Sequence, residues 1–188
     1  MTQPENQRRP FSWKTLSKEY VYADERLKVR KDQIKRPSDL TGTYTVVEKN
    51  DFVLIIPKIA DKFYLIEQDR YPVRSRSLEF PEGSIDKDET PAQAAARELT
   101  EEVGIVSAKM TLLGHHWLAN GHHTQGYYVF LAEQGKTSQH KREDSEFDME
   151  TKILTESEIE QKIADGTIQD APTIAALLLF KLREQRNE

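Results

Sequence analysis

The segment at residues 83–105, GSIDKDETPAQAAARELTEEVGI, contains the strongest local folding signals in the chain. Thr90, Pro91 and Gln93 supply an N-cap hydroxyl, a proline at the first helical position and a capping-box acceptor. Gly104 is placed to end the helix in the left-handed conformation. The sequence therefore predicts a helix that begins at Pro91 and stops at Gly104.

Helical periodicity predicts two different faces on this helix. One stripe is apolar and suits packing against a sheet: Ala92, Ala96, Leu99 and Val103. A second stripe, well round from the first, carries carboxylates: Glu98, Glu101 and Glu102. Arg97 can reach Glu101 across one turn and neutralise part of this charge. Because Mg²⁺ and Mn²⁺ prefer oxygen ligands, the second stripe is a candidate divalent-cation site, and a solvated glutamate face is the alternative.

The whole segment resembles the Nudix box, with each defining position filled: Gly83, Glu89, Arg97, Glu98, Leu99, Glu101, Glu102, Gly104 and Ile105. The resemblance implies a hydrolase that cleaves a nucleoside diphosphate linked to another moiety, with divalent metal on a loop–helix–loop held against a mixed sheet. It implies that Glu98, Glu101 and Glu102 are metal ligands. It also implies a backbone carbonyl ligand from Gly83 or Glu82. Arg97 and Glu89 would orient the ligands.

Length, net charge and cysteine content limit the kinds of partner and site that the chain can have. The chain of 188 residues suits one domain with a sizeable core and an N-terminal appendage. A net charge of -5 argues against broad binding to nucleic acids or anionic membranes, while a small phosphorylated ligand stays possible through metal ions. The absence of cysteine excludes disulfides, a thiolate nucleophile and zinc-thiolate sites. We expect no signal peptide and no membrane-spanning helix, and hence cytoplasmic residence.

The remaining segments predict an α+β fold. Alternating apolar and polar residues predict a strand pair in WKTLSKEYVYAD and RLKVRKDQIKR. Three further segments, separated by turns at Asn50–Asp51 and Ala60–Asp61, complete a run of antiparallel strands before the box: YTVVEKN, FVLIIPKI and KFYLIEQDRY. Two strands, SAKMTLLGHHWLA and GYYVFLAE, follow the box. We expect a mixed sheet between the box helix and a C-terminal helix, preceded by an antiparallel N-terminal sheet. The expected domains are a leader and β extension at 1–40 and a hydrolase domain at 41–188. The C-terminal helix is expected to bury one apolar face: Ile174, Leu177, Leu178 and Leu182.

The N-terminal extension and the segment EQDRYPVRSRSLEFPEGSID resemble the ADP-ribose pyrophosphatase branch of the Nudix family. The resemblance implies a homodimer whose site is built across two chains. It also makes Trp13 a candidate for stacking on the nucleobase, and a strand tryptophan packed at a sheet interface is the alternative. Arg70 is a candidate phosphate ligand, and a solvated loop arginine is the alternative. Glu79 would accept from the base or ribose, or form a structural ion pair.

Substrate identity is left open by the loop after the box. The best-known ADP-ribose enzymes have a proline about sixteen residues beyond the box glycine, whereas this chain has Asn120 there. ADP-ribose or another nucleotide sugar is the expected substrate. The alternatives are NADH, dinucleotide polyphosphates, nucleoside triphosphates, or a sensor that binds a nucleotide without cleaving it. His122 and His123 are proton-transfer candidates, with a polar loop role as the alternative.

A charge-dense stretch at residues 134–148 ends in acids. In the ADP-ribose branch a loop at this place supplies a general base or a further metal ligand. The candidates here are Glu146, Asp148 and Glu150, and ordinary solvated acids are the alternative. With Mg²⁺ (or Mn²⁺) bound, the expected reaction is hydrolysis of a pyrophosphate linkage in a small nucleotide.

Overall fold

The computed structural model describes four stretches of the chain: residues 11–107, 109–138, 142 and 148–187. The expected leader at 1–10 lies outside the described residues. The chain forms two compact units. The first contains the described residues up to Lys49 and the loop Ala119–Thr124. The second contains the rest.

The first unit is a three-stranded antiparallel sheet in the order β1-β2-β3. Its strands are β1 (Lys14–Ala23), β2 (Lys28–Lys35) and β3 (Thr41–Glu48). The turn after β1 is fixed by Asp24, whose Oδ1 accepts from the N–H groups of Arg26 and Leu27 at 2.8 Å each. The unit ends at Lys49, nine residues beyond the end of the β extension expected from sequence.

The second unit contains a seven-stranded mixed sheet. Its central order is β12-β5-β4-β10-β9, with β6 paired to β5 and β7 paired to β4. The strands are β4 (Phe52–Ile59), β5 (Lys62–Arg70), β6 (Ser75–Glu79), β7 (Glu82–Ser84), β9 (Lys109–Trp117), β10 (Gly126–Glu133) and β12 (Glu150–Thr155). A separate small pair consists of β8 (Ile105–Val106) and β11 (Lys136–Thr137). The helices are α1 (Pro91–Val103), α2 (Glu156–Ala164) and α3 (Ala171–Asn187).

The strand β4 pairs with β10 in parallel and with β5 in antiparallel orientation, so the sheet is mixed. The sequence analysis placed β3 and β4 in one antiparallel run, which is wrong because they belong to different sheets. The turn signal at Asn50–Asp51 separates the two strands as expected, but a turn signal does not identify the partner of either strand.

Alternate residues of β4 face two separate cores. Leu54 and Ile56 pack in the core that contains α3, while Val53 and Ile55 pack in the core that contains α1. Because successive strand side chains point to opposite faces, α1 and α3 cover opposite sides of the sheet. The predicted fold class is thereby confirmed.

The buried face of α3 differs from the prediction. The residues buried on it are Pro172, Thr173, Ala176, Leu177 and Phe180. Leu178 is 58% exposed and Leu182 is 47% exposed, so their assignment to the core was wrong. The helix carries more leucines than its contact face can accommodate, and periodicity alone selected the neighbouring stripe. Of the helices in the described stretches, none combines the length and apolar composition needed to cross a bilayer.

Candidate active site

Helix α1 begins and ends where the sequence predicts. The Thr90 hydroxyl accepts from the N–H of Gln93 at 3.3 Å, and the Gln93 side chain accepts from the N–H of Thr90 at 2.9 Å. At the other end Gly104 has φ 68° and donates its N–H to the Thr100 carbonyl at 3.1 Å. Glycine takes this left-handed conformation without strain, so both predicted caps are confirmed.

The apolar face of α1 is rotated from the predicted one at its N-terminal half. The apolar side chains it buries are Ala94, Ala95, Leu99 and Val103. Ala92 and Ala96 are exposed, so their assignment to the packed stripe was wrong. The five-residue segment PAQAA contains alanine at most positions, and alanine constrains the helix rotation weakly because it fits either environment.

The carboxylate stripe of α1 is largely buried. Glu98 is 7% exposed and Glu102 is 2% exposed, whereas the Glu101 side chain is 31% exposed. The strand β7 packs against this part of the helix, and the backbone N–H of Glu82 donates to Glu102 Oε2 at 3.2 Å. Buried carboxylates are costly unless polar or cationic groups compensate them. The alternative of a solvated glutamate face is therefore excluded for Glu98 and Glu102.

Gly83 allows β7 to approach the Glu98 carboxylate closely. A Cβ atom built at Gly83 would lie inside van der Waals contact distance of the carboxyl carbon and both oxygens of Glu98. The requirement for glycine is one of space, because Gly83 is a strand residue and lacks a positive φ. The box glycine thus brings the backbone of β7 against a candidate metal ligand.

Arg97 connects the helix to the segment that precedes it. Its Nε and Nη2 donate to the two oxygens of Glu89 at 3.1 and 3.0 Å, and Nη2 also donates to the Ser84 carbonyl at 2.9 Å. Its Nη1 donates to Glu98 at 2.8 Å and to Glu101 at 3.1 Å. The hydrogen bond to Glu89 raises the pKa of Arg97 and lowers the pKa of Glu89. One guanidinium therefore orients three carboxylates of the box.

Arg70 and Glu79 form an ion pair beside the box. Arg70 Nη2 lies 2.6 Å from Glu79 Oε1 and 2.5 Å from Glu82 Oε1. Glu79 is 2% exposed and also accepts from Gln68 Nε2 at 2.7 Å. Burial raises the pKa of Glu79, although Arg70 opposes that effect. Burial alone would lower the pKa of Arg70, but Glu79 and Glu82 outweigh it and the pKa is raised.

The residues around β7 fit a hard divalent cation in donor chemistry. Glu82, Gly83, Glu98 and Glu102 are joined through the contacts described above and offer oxygen ligands only. Within the described stretches, no three acidic or imidazole side chains converge closely enough to form a finished metal site. Arg97 binds the Glu98 and Glu101 carboxylates in this arrangement. The candidate oxygen ligands therefore lie near one another but do not converge on one position.

The acids after the box are held near β5 and β6. Asp148 Oδ2 accepts from Arg76 Nη1 at 3.2 Å and from the N–H of Asp69 at 2.8 Å. Glu150 begins β12 and accepts from Lys152 Nζ at 2.7 Å, a hydrogen bond that lowers the pKa of Glu150. The third candidate, Glu146, lies outside the described residues.

Trp13 lies in the first unit, in a cluster of aromatic and cationic side chains. The Arg36 guanidinium lies over the Trp13 ring at 5.4 Å, and Tyr44 meets the ring edge-on at 6.1 Å. Phe11 is 85% exposed and lies 6.4 Å from Trp13 between ring centroids. His122 also belongs to this unit, 6.4 Å from Tyr44.

Sequence analysis missed Arg142. Its Nε and Nη2 donate to the backbone carbonyl of Glu102 at 3.0 and 2.9 Å. Arg142 lies in a polar stretch without periodicity, so no motif identifies it. The one available signal is that the last turn of α1 has no basic residue, although the carbonyl end of a helix attracts a cation.

The fold and the site together define a class of protein, in which an acidic loop–helix–loop is held against a mixed sheet. Residues 50–177 match the NUDIX domain, and residues 13–47 match the nucleoside diphosphate sugar hydrolase N-terminal domain. The chain belongs to the Nudix family. The predicted assignment to the Nudix pyrophosphohydrolases, enzymes that use divalent cations to act on small nucleotides, is confirmed.

Individual relatives share the full length of the chain. The chain is 25% identical over 173 residues to an ADP-ribose pyrophosphatase of Bacillus subtilis (strain 168), covering 91% of this chain and 94% of that protein. It is 27% identical over 177 residues to a methanol dehydrogenase activator of Bacillus methanolicus, covering 93% and 95%. The crystal structure of an ADP compounds hydrolase has a TM-score of 0.86 at 21% identity, covering 96% of this chain and 98% of that one.

Proposed function

We propose that the protein hydrolyses the pyrophosphate linkage of a nucleotide sugar such as ADP-ribose, giving a nucleoside monophosphate and a sugar phosphate. The observation that carries this proposal is the sheet β1–β3, whose residues 13–47 match an N-terminal domain named for nucleoside diphosphate sugar hydrolases. A nucleoside triphosphate hydrolase has no evident need for this addition. The ADP-ribose pyrophosphatase from B. subtilis, similar over nearly its whole length, supports the same substrate class.

The proposed ligands for Mg²⁺, or Mn²⁺ in its place, are the carboxylates of Glu98, Glu101 and Glu102 with backbone or side-chain oxygens of Glu82 and Gly83. When bound, the cation neutralises charge on the diphosphate oxygens and lowers the pKa of a coordinated water. The protein contributes the position of these ligands. Burial of Glu98 and Glu102 restricts their rotamers, and the closeness of Gly83 fixes where the Glu98 carboxylate lies.

Two arginines take supporting roles in this proposal. Arg97 keeps its charge at any working pH, since its pKa is raised by Glu89, and it holds Glu98 and Glu101 in register. Arg70 restrains Glu82 and Glu79 through Nη2, and its guanidinium is assigned to a diphosphate oxygen of the bound substrate. Glu79 is assigned to recognition of the ribose or base, and its carboxylate is held by Arg70 and Gln68.

A carboxylate must accept the proton of the attacking water. We assign this role to the loop acids Glu146, Asp148 and Glu150 or to a glutamate of the box. Nucleobase stacking is assigned to Trp13, an aromatic side chain in a cluster with Arg36 and Tyr44.

We propose that the protein is a homodimer formed through the first unit. All ten residues of β1 are exposed in the single chain, and β1 is an edge strand. Its large apolar side chains are about half exposed: Leu16 56%, Tyr20 53%, Val21 56% and Tyr22 53%. An unprotected edge with apolar side chains suits pairing with a second copy. The division into an N-terminal extension and a hydrolase domain, and a cytoplasmic location where nucleotide sugars are metabolised, belong to the same proposal.

The test is product analysis after incubation with Mg²⁺ and a panel of ADP-ribose, other nucleotide sugars, NADH, diadenosine polyphosphates and nucleoside triphosphates. The proposal expects a nucleoside monophosphate and a sugar phosphate from a nucleotide sugar, and no product after the cation is removed with EDTA. Preferential turnover of a triphosphate or a dinucleotide would show that the substrate is not a nucleotide sugar. Tight binding of ADP-ribose without turnover in Mg²⁺ or Mn²⁺ would reject hydrolysis.

A further inference from the structure

The Arg142 guanidinium links two separate segments that carry acidic residues. Toward α1, its Nε and Nη2 both donate to the Glu102 carbonyl, at 3.0 and 2.9 Å. Toward β12, its Nη2 donates to Thr151 Oγ1 at 2.8 Å, and its Nη1 donates to the Met149 carbonyl. The hydrogen bonds described for this side chain thus end on two carbonyls and a hydroxyl that lie on different elements.

A cation near Glu102 would stabilise the C-terminal end of α1, and the last turn of the helix contains no basic residue. The last four carbonyls of an α-helix have no N–H partner within it, and their dipoles concentrate negative potential there. The last turn of α1 has no basic residue, and it carries Glu101 and Glu102. Arg142 supplies both a positive charge and hydrogen-bond donors at this position.

The same residue that Arg142 holds by its carbonyl also carries a site carboxylate. The Glu102 side chain is 2% exposed and its Oε2 accepts from the backbone N–H of Glu82. A shift of the Glu102 backbone therefore moves this carboxylate relative to β7. At the other end of Arg142, Met149 and Thr151 flank Glu150 along the chain. The two acidic segments are consequently restrained by one side chain.

We propose that Arg142 is a positioning residue that fixes the Glu102 carboxylate for divalent-cation binding and ties the start of β12 to the end of α1. The inference rests on the proposed function, because it assumes that Glu102 binds the cation. Three acceptors on two elements require the planar fork of a guanidinium, and a lysine ammonium cannot span them. Charge alone is therefore insufficient.

The test uses Arg142→Ala and Arg142→Lys in the full chain and measures Mn²⁺ affinity by electron paramagnetic resonance without substrate. Groups that orient metal ligands typically contribute roughly 10–100-fold to metal affinity, so both variants are expected to bind Mn²⁺ at least about tenfold more weakly. Guanidinium ion at low concentration should restore part of the affinity of Arg142→Ala but not that of Arg142→Lys. With substrate, kcat at limiting Mg²⁺ should fall in both variants and recover at high Mg²⁺.

Arg183→Ala is the matched control, since Arg183 also donates to a backbone carbonyl, that of Leu112 at 3.4 Å, on the α3 side of the sheet. It should leave Mn²⁺ affinity unchanged. Wild-type affinity in Arg142→Lys, or in both Arg142 variants, would overturn the proposal by showing that charge or folding alone matters. The Mn²⁺ measurement needs no substrate, so failure of the substrate panel would leave it intact. An active enzyme with unaltered Mn²⁺ affinity in the variants would reject only the role of Arg142.

Discussion

At the scale of single residues, the site depends on how closely β7 approaches the buried carboxylates of α1. Motif spacing in the sequence identifies Gly83, Glu98 and Glu102, because each occupies a defining position of the box. Spacing does not reveal that Glu98 and Glu102 are buried, because their burial depends on the tertiary packing of β7 against α1. The contact of Arg142 with Glu102 is unpredictable for the same reason: it joins residues 40 positions apart in the sequence.

Gly83→Ala should impair turnover more than folding. The added methyl must displace the Glu98 carboxylate, because the two would otherwise overlap. The strand backbone of Gly83 accepts an alanine without strain, so the main effect of the substitution is to displace the Glu98 carboxylate. We expect kcat to fall by about tenfold or more, the loss typical when the orientation of a metal ligand is disturbed. Steady-state kinetics at saturating Mg²⁺ and thermal unfolding measure the two effects.

Gly121→Ala is a suitable control for that substitution. A Cβ at Gly121 meets nothing within 4 Å, and Gly121 lies in the loop of the first unit. Its kcat should match the wild type. Equal kcat in both alanine variants would show that the close approach at Gly83 has no role in catalysis.

At the scale of elements, α1 is fixed at both ends and along one side. Its caps at Thr90 and Gly104 were predictable because they depend on neighbouring residues. Its rotation was only half predictable, since Leu99 and Val103 fixed the C-terminal half while the alanines left the N-terminal half open. Arg97 then ties the helix to the segment at 84–89 by hydrogen bonds that the box pattern implies only through resemblance.

Arg97→Lys should lower both stability and activity, with a stability loss that depends on pH. The pKa of Glu89 is lowered in the folded protein from its ordinary value of 4.5 by the hydrogen bond from Arg97. The stabilisation is therefore complete above that value and disappears as pH falls through the lowered pKa. We expect a melting temperature roughly 2–4 °C below wild type at pH 7, the shift that about 1 kcal/mol produces in a chain of this size.

Thermal unfolding of wild type and Arg97→Lys from pH 3 to pH 8 measures this difference. The gap between the two proteins should narrow as pH falls below about 4.5, the reference value for an unperturbed glutamate. Arg26→Lys, in the turn after β1, is the control and should follow the wild type throughout. A gap that widens at acid pH would contradict the assigned pairing of Arg97 with Glu89.

At the scale of the whole molecule, the first unit buries little of its own surface. Of its described residues, Asp32 and Ile34 are the ones that reach the buried class. The antiparallel N-terminal sheet was predictable from alternating residues and turn signals. Its third strand was not assigned to it, because β3 directly precedes β4 in the sequence and only tertiary pairing places the two strands in different sheets.

Leu16→Glu should convert the proposed homodimer to a monomer. Leu16 is 56% exposed on β1, and a buried carboxylate without a partner in the dimer interface would be costly. Lys136→Glu is the control, since this position is already charged and exposed and lies outside the first unit. Analytical ultracentrifugation measures the mass of each. A wild-type monomer, or a dimer unaffected by Leu16→Glu, would reject pairing through β1.

We propose that Glu102 on α1 serves the hydrolysis of a nucleotide sugar. This role is tested most directly by comparing ADP-ribose hydrolysis by wild type and Glu102→Gln. The amide keeps the shape of the side chain, so thermal unfolding should change little. We expect a loss in kcat of at least about 100-fold, the upper end for groups that merely orient ligands. Glu156→Gln, on the exposed face of α2, should remain active. A turnover number for Glu102→Gln equal to that of the wild type would contradict the account.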